Sequence, residues 1–470
     1  MSSDTNKNLQ DLLRGESLKH LAALNNMFGF EPPSDVTNNH CWVIRHVPEA
    51  SISVDSEHDV KENDRVLLFD PSSNSCKNRH TVVKVSTSAT QKTVELKQES
   101  EFELPLSVET LCLNSIISSD CKKSLSDMVV TGCAQISNDD YDIIVRMALM
   151  PKKVETKVET VKEILGTSFI VSDELLGQIC AALNSGNHVI LTGPPGTGKT
   201  TIAQAVAIAA RGVEPIITTA TADWSTFDTV GGYMPDLASA SPNALTFETG
   251  IILQSMIDRR WIIVDEINRA PIDKAIGQLF TVLSGGDVLL PFRNIKTGNR
   301  LKIVSDNFFS NEDMYSRSDD WRMIATMNEY DKNALFDMSY AFMRRFAMVR
   351  VGLPVNYADV VSAWCSDTGI DASIIGNIRS IITKHMEQRE IGPAIFKSII
   401  AYMKSRIVTG TKLKLYYAEA LAIFLAPQLQ GLEDTIVRDI ANTVSEFLAD
   451  DGEAKEHFMQ SIYAMTGETL

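Results

Sequence analysis

Apolar residues change their spacing several times along the chain, and each change announces a different kind of structure. Over residues 8–28, Leu9, Leu12, Leu13, Leu18, Leu21 and Leu24 recur at helical intervals. Short strand-like runs follow at 41–46 (CWVIRH), 65–69 (RVLLF), 80–86 (HTVVKVS) and 93–97 (TVELK). Turn-rich pieces such as DPSSNSCKN separate them, the pattern of a small antiparallel barrel. Helices are predicted near 108–118 and 139–147, the second opened by Ser137 and Asp140. Residues 151–165 repeat the unit KVET and lack a clear apolar face, so they read as an exposed charged linker, helical at most at its end.

The pattern then changes class. Ser172 caps a helix whose inner face carries Leu175, Leu176, Ile179, Cys180 and Leu183, with Gly186 to end it. Unbroken apolar runs at 188–192, 261–264 and 321–327 alternate with helical stretches at 201–211 and 272–284. Such runs describe strands buried on both faces, as in a parallel sheet flanked by helices. After Pro354 the chain is helical throughout, with stripes at Ile374, Ile375, Ile378, Ile381 and Ile382 and at Ile395, Ile399, Ile400 and Met403. Two more helices are expected near 432–448 and 454–465. The chain therefore divides into an α+β domain (1–150), a linker (151–165), an α/β domain (166–353) and a helical region (354–470).

Chemistry concentrates in the α/β part. Gly193, Pro194, Pro195, Gly196, Thr197, Gly198, Lys199, Thr200 and Thr201 form a glycine-rich turn between a strand and an Ala-rich helix closed by Gly212. The glycines let backbone N–H groups converge on phosphate oxygens at the positive end of that helix. Lys199 reaches the outer phosphates and Thr200 the Mg²⁺ ion in this arrangement. Asp265 and Glu266 end the 261–264 run, where ligands of parallel sheets bind, and suit a metal-orienting acid and a general base. Asn328 ends the third run and can position water or the terminal phosphate without adding negative charge. Arg344 and Arg345 precede a strand-like run at 347–351. They are either a solvated pair or a cation source for a neighbouring subunit's phosphate.

Together these residues resemble the AAA+ ATPases, and among them the MoxR/McrB-like, dynein-related branch, over about residues 165–405. GPPGTGKT is shared by AAA+ proteins generally; Asp265-Glu266-Ile267-Asn268-Arg269-Ala270 points to the branch. The resemblance implies Asn328 as a sensor of hydrolysis, Arg344 or Arg345 as a trans-acting finger, a homo-hexameric ring and a helical lid. It also likens 222–233 to a segment after the second strand, and 287–306 to an insertion that engages a substrate or partner, unless it is a plain surface loop. GTP-using McrB subunits read Met-Asn-Thr-Ala-Asp-Arg where this chain reads Met327-Asn328-Glu329-Tyr330-Asp331-Lys332, which favours ATP with GTP as the alternative. The lid sensor arginine has no clean counterpart; Lys397 or Arg389 stands in its place.

Charge narrows the partners. With 60 acidic against 44 basic residues the net charge is −16, so there is no general attraction to nucleic acid or anionic lipid. The first 150 residues carry 22 Asp and Glu against 14 Lys and Arg, which argues against a broadly basic DNA-binding module there. Any nucleic acid must be met through a local basic surface or through a partner. The seven cysteines show no metal spacing, and no apolar run is long enough for a bilayer, which leads to an expectation of reduced thiols in the cytoplasm and no membrane. The leading expectation is a ring ATPase that remodels or moves a protein or nucleic-acid partner, its N-terminal domain either choosing the target or spacing the assembly. The alternatives are a GTP-driven, DNA-translocating restriction subunit that needs a separate nuclease, and a nucleotide-binding switch or scaffold with little turnover.

Overall fold

The alternating runs of the first domain become one six-stranded sheet. Its strands are β1 (Cys41–Arg45), β2 (Ile52–Asp55), β3 (Arg65–Asp70), β4 (Ser75–Thr87), β5 (Gln91–Ser107) and β6 (Cys133–Ile136), in the spatial order β2-β5-β4-β3-β1-β6. The computed structural model describes residues 40–466 apart from 46–51, 56–57, 72–74, 88–90, 115–116, 150–154, 167–168, 236–243, 306–309, 312, 330–337, 355, 366–367, 386–390, 409 and 431–432. The helix expected over 8–28, the sensor tail from Tyr330 to Lys332 and Arg389 lie outside the described residues.

The antiparallel barrel expected here is corrected in two respects: β1 pairs with β3 in parallel, and no pairing among the described residues joins β2 to β6. Both faces of the sheet are covered. Cys41 and Val43 point to a core shared with the helices, while Trp42 and Ile44 enter a second cluster with Val66, Val82 and Val94. That is why CWVI is apolar without interruption. The helices are α1 (Val108–Leu113), α2 (Ser119–Thr131) and α3 (Asn138–Leu149). Helix α1 stops earlier than its sequence suggested. Helix α2 is an addition, capped by Ser118 and buried through Cys121, Leu125 and Met128.

Residues 158–165, the end of the stretch read as an exposed linker, form α4 (Val158–Leu165), the helix expected at most there, but they are docked rather than exposed, with Val161 fully buried against the α/β core. One apolar face of two turns is enough to dock it, and Thr156 is tied to Asn184 by hydrogen bonds in both directions (2.8 and 3.0 Å). Helix α5 (Asp173–Asn184) follows, its first turn capped by Ser172.

The α/β domain is built on β7 (His188–Gly193), β8 (Ile216–Thr219), β11 (Ile262–Asp265), β15 (Met323–Asn328) and β16 (Phe346–Arg350), all parallel in the order β16-β7-β15-β11-β8. Side chains alternate across it. Val189 and Leu191 pack with α4, α5 and α6 (Lys199–Arg211), and Ile190 packs into the cluster of Ile252, Ile262, Ile276 and Phe342. Two hairpins stand beside the sheet: β9 (Gly231–Pro235) with β10 (Leu245–Thr249), and β12 (Val288–Arg293) with β13 (Arg300–Val304), the latter extended by β14 (Met314–Ser316). Tyr233, Phe247, Phe292 and Tyr315 form an aromatic cluster between them.

The first domain is hydrogen-bonded to this base. Thr110 Oγ1 donates to the Ser310 carbonyl (3.2 Å) and accepts from the Ser310 N–H (3.1 Å), and Gln254 donates to the Leu113 carbonyl (3.1 Å). The helical region forms a single core from α7 (Tyr357–Trp364), α8 (Ala372–His385), α9 (Pro393–Ile407), α10 (Leu413–Ala420), α11 (Asp434–Phe447) and α12 (Gly452–Thr466). The last two helices are part of that core rather than an appendage.

A buried imidazole fastens the base of the sheet. His188 Nδ1 accepts from the Met323 N–H (3.0 Å), so Nε2 carries the proton toward the Leu283 carbonyl (3.2 Å). Burial, with Arg322 and Arg317 nearby, pushes its pKa down to about 3. The unfolded chain therefore takes up this proton first. Its contribution is complete above the unfolded value of roughly 6.5 and is lost as pH falls from there toward the folded value. Denaturant titrations of the wild type at pH 7 and pH 5 should show a loss assignable to His188 on the order of 1–2 kcal/mol. The His188→Gln variant should lack that share of the slope.

Candidate active site

The turn after β7 is shaped by backbone contacts that leave no room for side chains. Gly193 has φ +141°, and a Cβ there would lie 2.2 Å from the Val351 carbonyl oxygen. Gly392, just before α9, approaches so closely that its own Cβ would meet the Pro195 carbonyl oxygen at 2.2 Å. Ala394 N–H donates to the Gly196 carbonyl (3.2 Å). The helical region thus lies directly on the loop. Thr197 Oγ1 donates back to the Pro194 carbonyl (3.0 Å), Gly198 is the left-handed residue before α6, and Thr201 is exposed on its first turn.

Lys199 and Thr200 follow at the start of α6. The Lys199 amine is largely buried and donates to the carbonyls of Gly193 (3.0 Å) and Pro194 (2.7 Å) and to Asn328 Oδ1 (2.7 Å). Burial holds its pKa below the usual lysine range, while Glu266, Asp265 and Glu329 pull it back up. Three acceptors and three carboxylates around one ammonium make the cation persist where an isolated buried lysine would lose its proton.

The two acids arrive from β11. Thr200 Oγ1 donates to Asp265 Oδ1 (2.8 Å), and Thr326 Oγ1 donates to the same oxygen. Glu266 has φ +53°, a left-handed conformation uncommon for a residue with a side chain, and its N–H donates to Thr326 Oγ1 (3.1 Å). Asn328 Nδ2 donates to Glu266 Oε1, and Arg269 Nε lies 3.5 Å from Glu266 Oε2. One amide therefore bridges the lysine and the glutamate. Asn328 stands there because β15 lies next to β7 with Asn328 opposite Gly193. Asn268, buried, donates to the Asn328 carbonyl (3.4 Å).

The arginine pair divides. Arg345 Nε donates to the Phe280 carbonyl (2.8 Å) and Ser284 Oγ (2.9 Å), another of its nitrogens donates to the Ala341 carbonyl, and its guanidinium lies 4.9 Å from the Phe280 ring centre. Arg344 is exposed, and among the described residues its side chain has no hydrogen bond or ion pair. Lys397 stands over the Trp364 ring, 5.7 Å from its centre, rather than among the groups of the loop. Glu329, next after Asn328, pairs with Arg350 (3.2 Å).

Thr326 and Arg269 belong to this cluster but were not assigned roles from sequence. A threonine inside an otherwise apolar strand was the signal for the first. The spacing of three residues from Glu266 was the signal for the second.

A strand, a glycine turn and a helix, with carboxylates from an adjacent parallel strand beside the lysine, define a P-loop nucleoside triphosphatase. Residues 188–346 match the AAA domain of the dynein-related subfamily. No curated protein matches the chain. Solved structures similar to it include a candidate ATPase from Cytophaga hutchinsonii, with 15% identity covering 66% of this chain and 85% of that one at a TM-score of 0.31. Another is NtrX from Brucella abortus in complex with ADP, with 12% identity covering 63% and 66% of the two chains at a TM-score of 0.34. No helix among the described residues is long and apolar enough to cross a membrane.

Proposed function

We propose that this chain is a Mg²⁺-dependent ATPase that works as a homo-oligomeric ring of six and uses turnover to remodel or move a partner. The observation that carries the reading is the direct hydrogen-bonded chain Thr200–Asp265 and Lys199–Asn328–Glu266 beside the glycine turn. A pure nucleotide binder has no use for Glu266 at that point.

The residues fit the substrate and its metal. Among the described residues no three His, Cys, Asp or Glu cluster as a metal cage, which suits an ion held by one or two protein groups, waters and phosphate oxygens. Thr200 and Asp265 are the groups that would hold Mg²⁺. When bound, the ion neutralises phosphate charge. Lys199 would exchange its carbonyl contacts for phosphate oxygens, freeing the Asn328 amide to orient water. Glu266 would take a proton as the water oxygen bonds to the terminal phosphorus and the bridge to ADP breaks. Arg344, whose side chain has no hydrogen bond or ion pair among the described residues, is the side chain suited to reach a neighbour's phosphate, and Arg345 supports its segment. Contact of Gly392 and Ala394 with Gly196 gives the helical lid a direct view of loop occupancy.

Phosphate release should be measured with ATP and with GTP, each with and without a chelator. Metal-dependent turnover that prefers ATP supports the reading. Equal or faster GTP turnover would contradict the choice of nucleotide, and no turnover with either would leave a binding switch.

A further inference from the structure

Thr326 is the only residue of 323–327 with a polar side chain. Alternation sorts β15 into two faces: Met323, Ala325 and Met327 join the cluster of Ile252 and Ile276, while Ile324, Thr326 and Asn328 lie on the side of α6 and the glycine turn. Thr326 is 1% exposed, so it can act on the reaction only through the groups it touches.

The strand pairing explains the use of a hydroxyl at this position. β11 runs beside β15 through Ile262–Met323, Ile263–Ile324 and Val264–Ala325, and the register ends there, whereas on its other side β11 stays paired with β8 as far as Asp265 opposite Thr219. Thr326 is the next residue of β15. Its Oγ1 accepts the Glu266 N–H (3.1 Å) and donates to Asp265 Oδ1, so one side chain takes over where the main-chain ladder stops and grips both acids. It does so where the backbone turns left-handed, at Glu266 with φ +53°. Such a conformation persists in a residue with a side chain only when its surroundings over-determine it.

From this we infer that Thr326 is a positioning residue for hydrolysis: its hydroxyl holds Glu266 in the left-handed turn that carries the carboxylate to Asn328, and at the same time fixes the Asp265 carboxylate. Thr200 shares Asp265 Oδ1 with Thr326. In the proposed function the Thr200 hydroxyl is given to Mg²⁺, which leaves Thr326 as the donor that keeps Asp265 from rotating. A single group therefore sets the general base and the metal-orienting acid relative to each other, the kind of fixed geometry on which a reaction with little covalent chemistry depends. The inference rests on the proposed function for its effect on turnover, but not for the backbone geometry it assigns to Glu266.

The test compares Thr326→Val, which keeps the shape and the strand preference but removes the hydroxyl, with Thr326→Ser, which keeps the hydroxyl. Phosphate release from Mg-ATP, affinity for mant-ATP with Mg²⁺ and with EDTA, and a crystal structure of the valine variant are the readouts, all on the full chain. Thr326→Val should lower kcat by about ten- to a hundredfold, the usual worth of a group that orients a metal's ligands. Its affinity for mant-ATP in EDTA should match the wild type, because the contacts of Lys199 are untouched, whereas the gain in affinity on adding Mg²⁺ should shrink. Thr326→Ser should recover most of the turnover, and in the valine variant Glu266 should leave the left-handed region. Wild-type turnover in Thr326→Val, a loss as deep in Thr326→Ser, equal weakening of mant-ATP with and without Mg²⁺, or an unchanged Glu266 backbone in the crystal would each overturn the inference. If the valine variant does not fold, Thr326→Ala takes its place; failure of both to fold would make the hydroxyl a support of the sheet and likewise overturn it. A wild type that turns over no nucleotide would count against the proposed function alone, and the Glu266 backbone of the valine variant would still decide the inference.

Discussion

Glu266→Gln should retain nucleotide and lose turnover, by about a hundred- to ten-thousandfold, the usual worth of a positioned general base. The substitution keeps shape and leaves an oxygen to accept from Asn328, so the link that now joins Glu266 to Lys199 can persist. What it removes is the carboxylate's capacity to take a proton, together with the charge beside Arg269. Lys199 and Thr200 are untouched, so equilibrium binding of Mg-ATP should change by no more than a few-fold. Phosphate release and nucleotide affinity measured on the same preparation check both halves. Turnover equal to wild type would remove Glu266 from its role, and loss of binding would mean that the residue supports the loop rather than the reaction.

Arg344→Ala is expected to have an effect of comparable size for a different reason. Trans-acting arginines are worth about 10³–10⁵ in rate in enzymes of this chemistry. Arg344 has no partner among the described residues of its own subunit, so its removal costs the isolated fold little. Arg345→Ala should behave otherwise. It breaks the contacts to Phe280 and Ser284, so its main signature should be a lower melting temperature. Thermal denaturation and turnover of the two variants separate the roles. If Arg345→Ala abolished turnover without a loss of stability while Arg344→Ala stayed active, the assignment of the pair would be reversed.

The loop, the two acids and Asn328 were legible because each sits at the end of an apolar strand in a local string. Their meeting was not. Asn328 reaches Lys199 because β15 is inserted between β7 and β11, an order of strands that differs from their order in the sequence. The division between Arg344 and Arg345 depends on where Phe280 and Ser284 fall after a helix that breaks at Gly277–Leu279, and nothing near 344 encodes that. Lys397 stood in for the lid sensor arginine through the family resemblance alone, and α9 places its side chain over the Trp364 ring. In the linker a single buried valine, Val161, outweighed a charged composition. Helix α2 was missed, although its Ser118 cap and the spacing of Cys121, Leu125 and Met128 carry a helical signal. The parallel β1–β3 pair was not, because parallel and antiparallel strands share the same alternation.

The most direct measurement mixes the two inactive proteins. Subunits carrying Arg344→Ala keep Glu266, and subunits carrying Glu266→Gln keep Arg344, so a mixed ring contains interfaces with both groups intact. The account predicts that phosphate release, absent from either variant alone, returns on mixing to a measurable fraction of the wild-type rate. A mixture that co-assembles and binds nucleotide yet stays as inactive as its components would contradict a site completed by the neighbouring subunit.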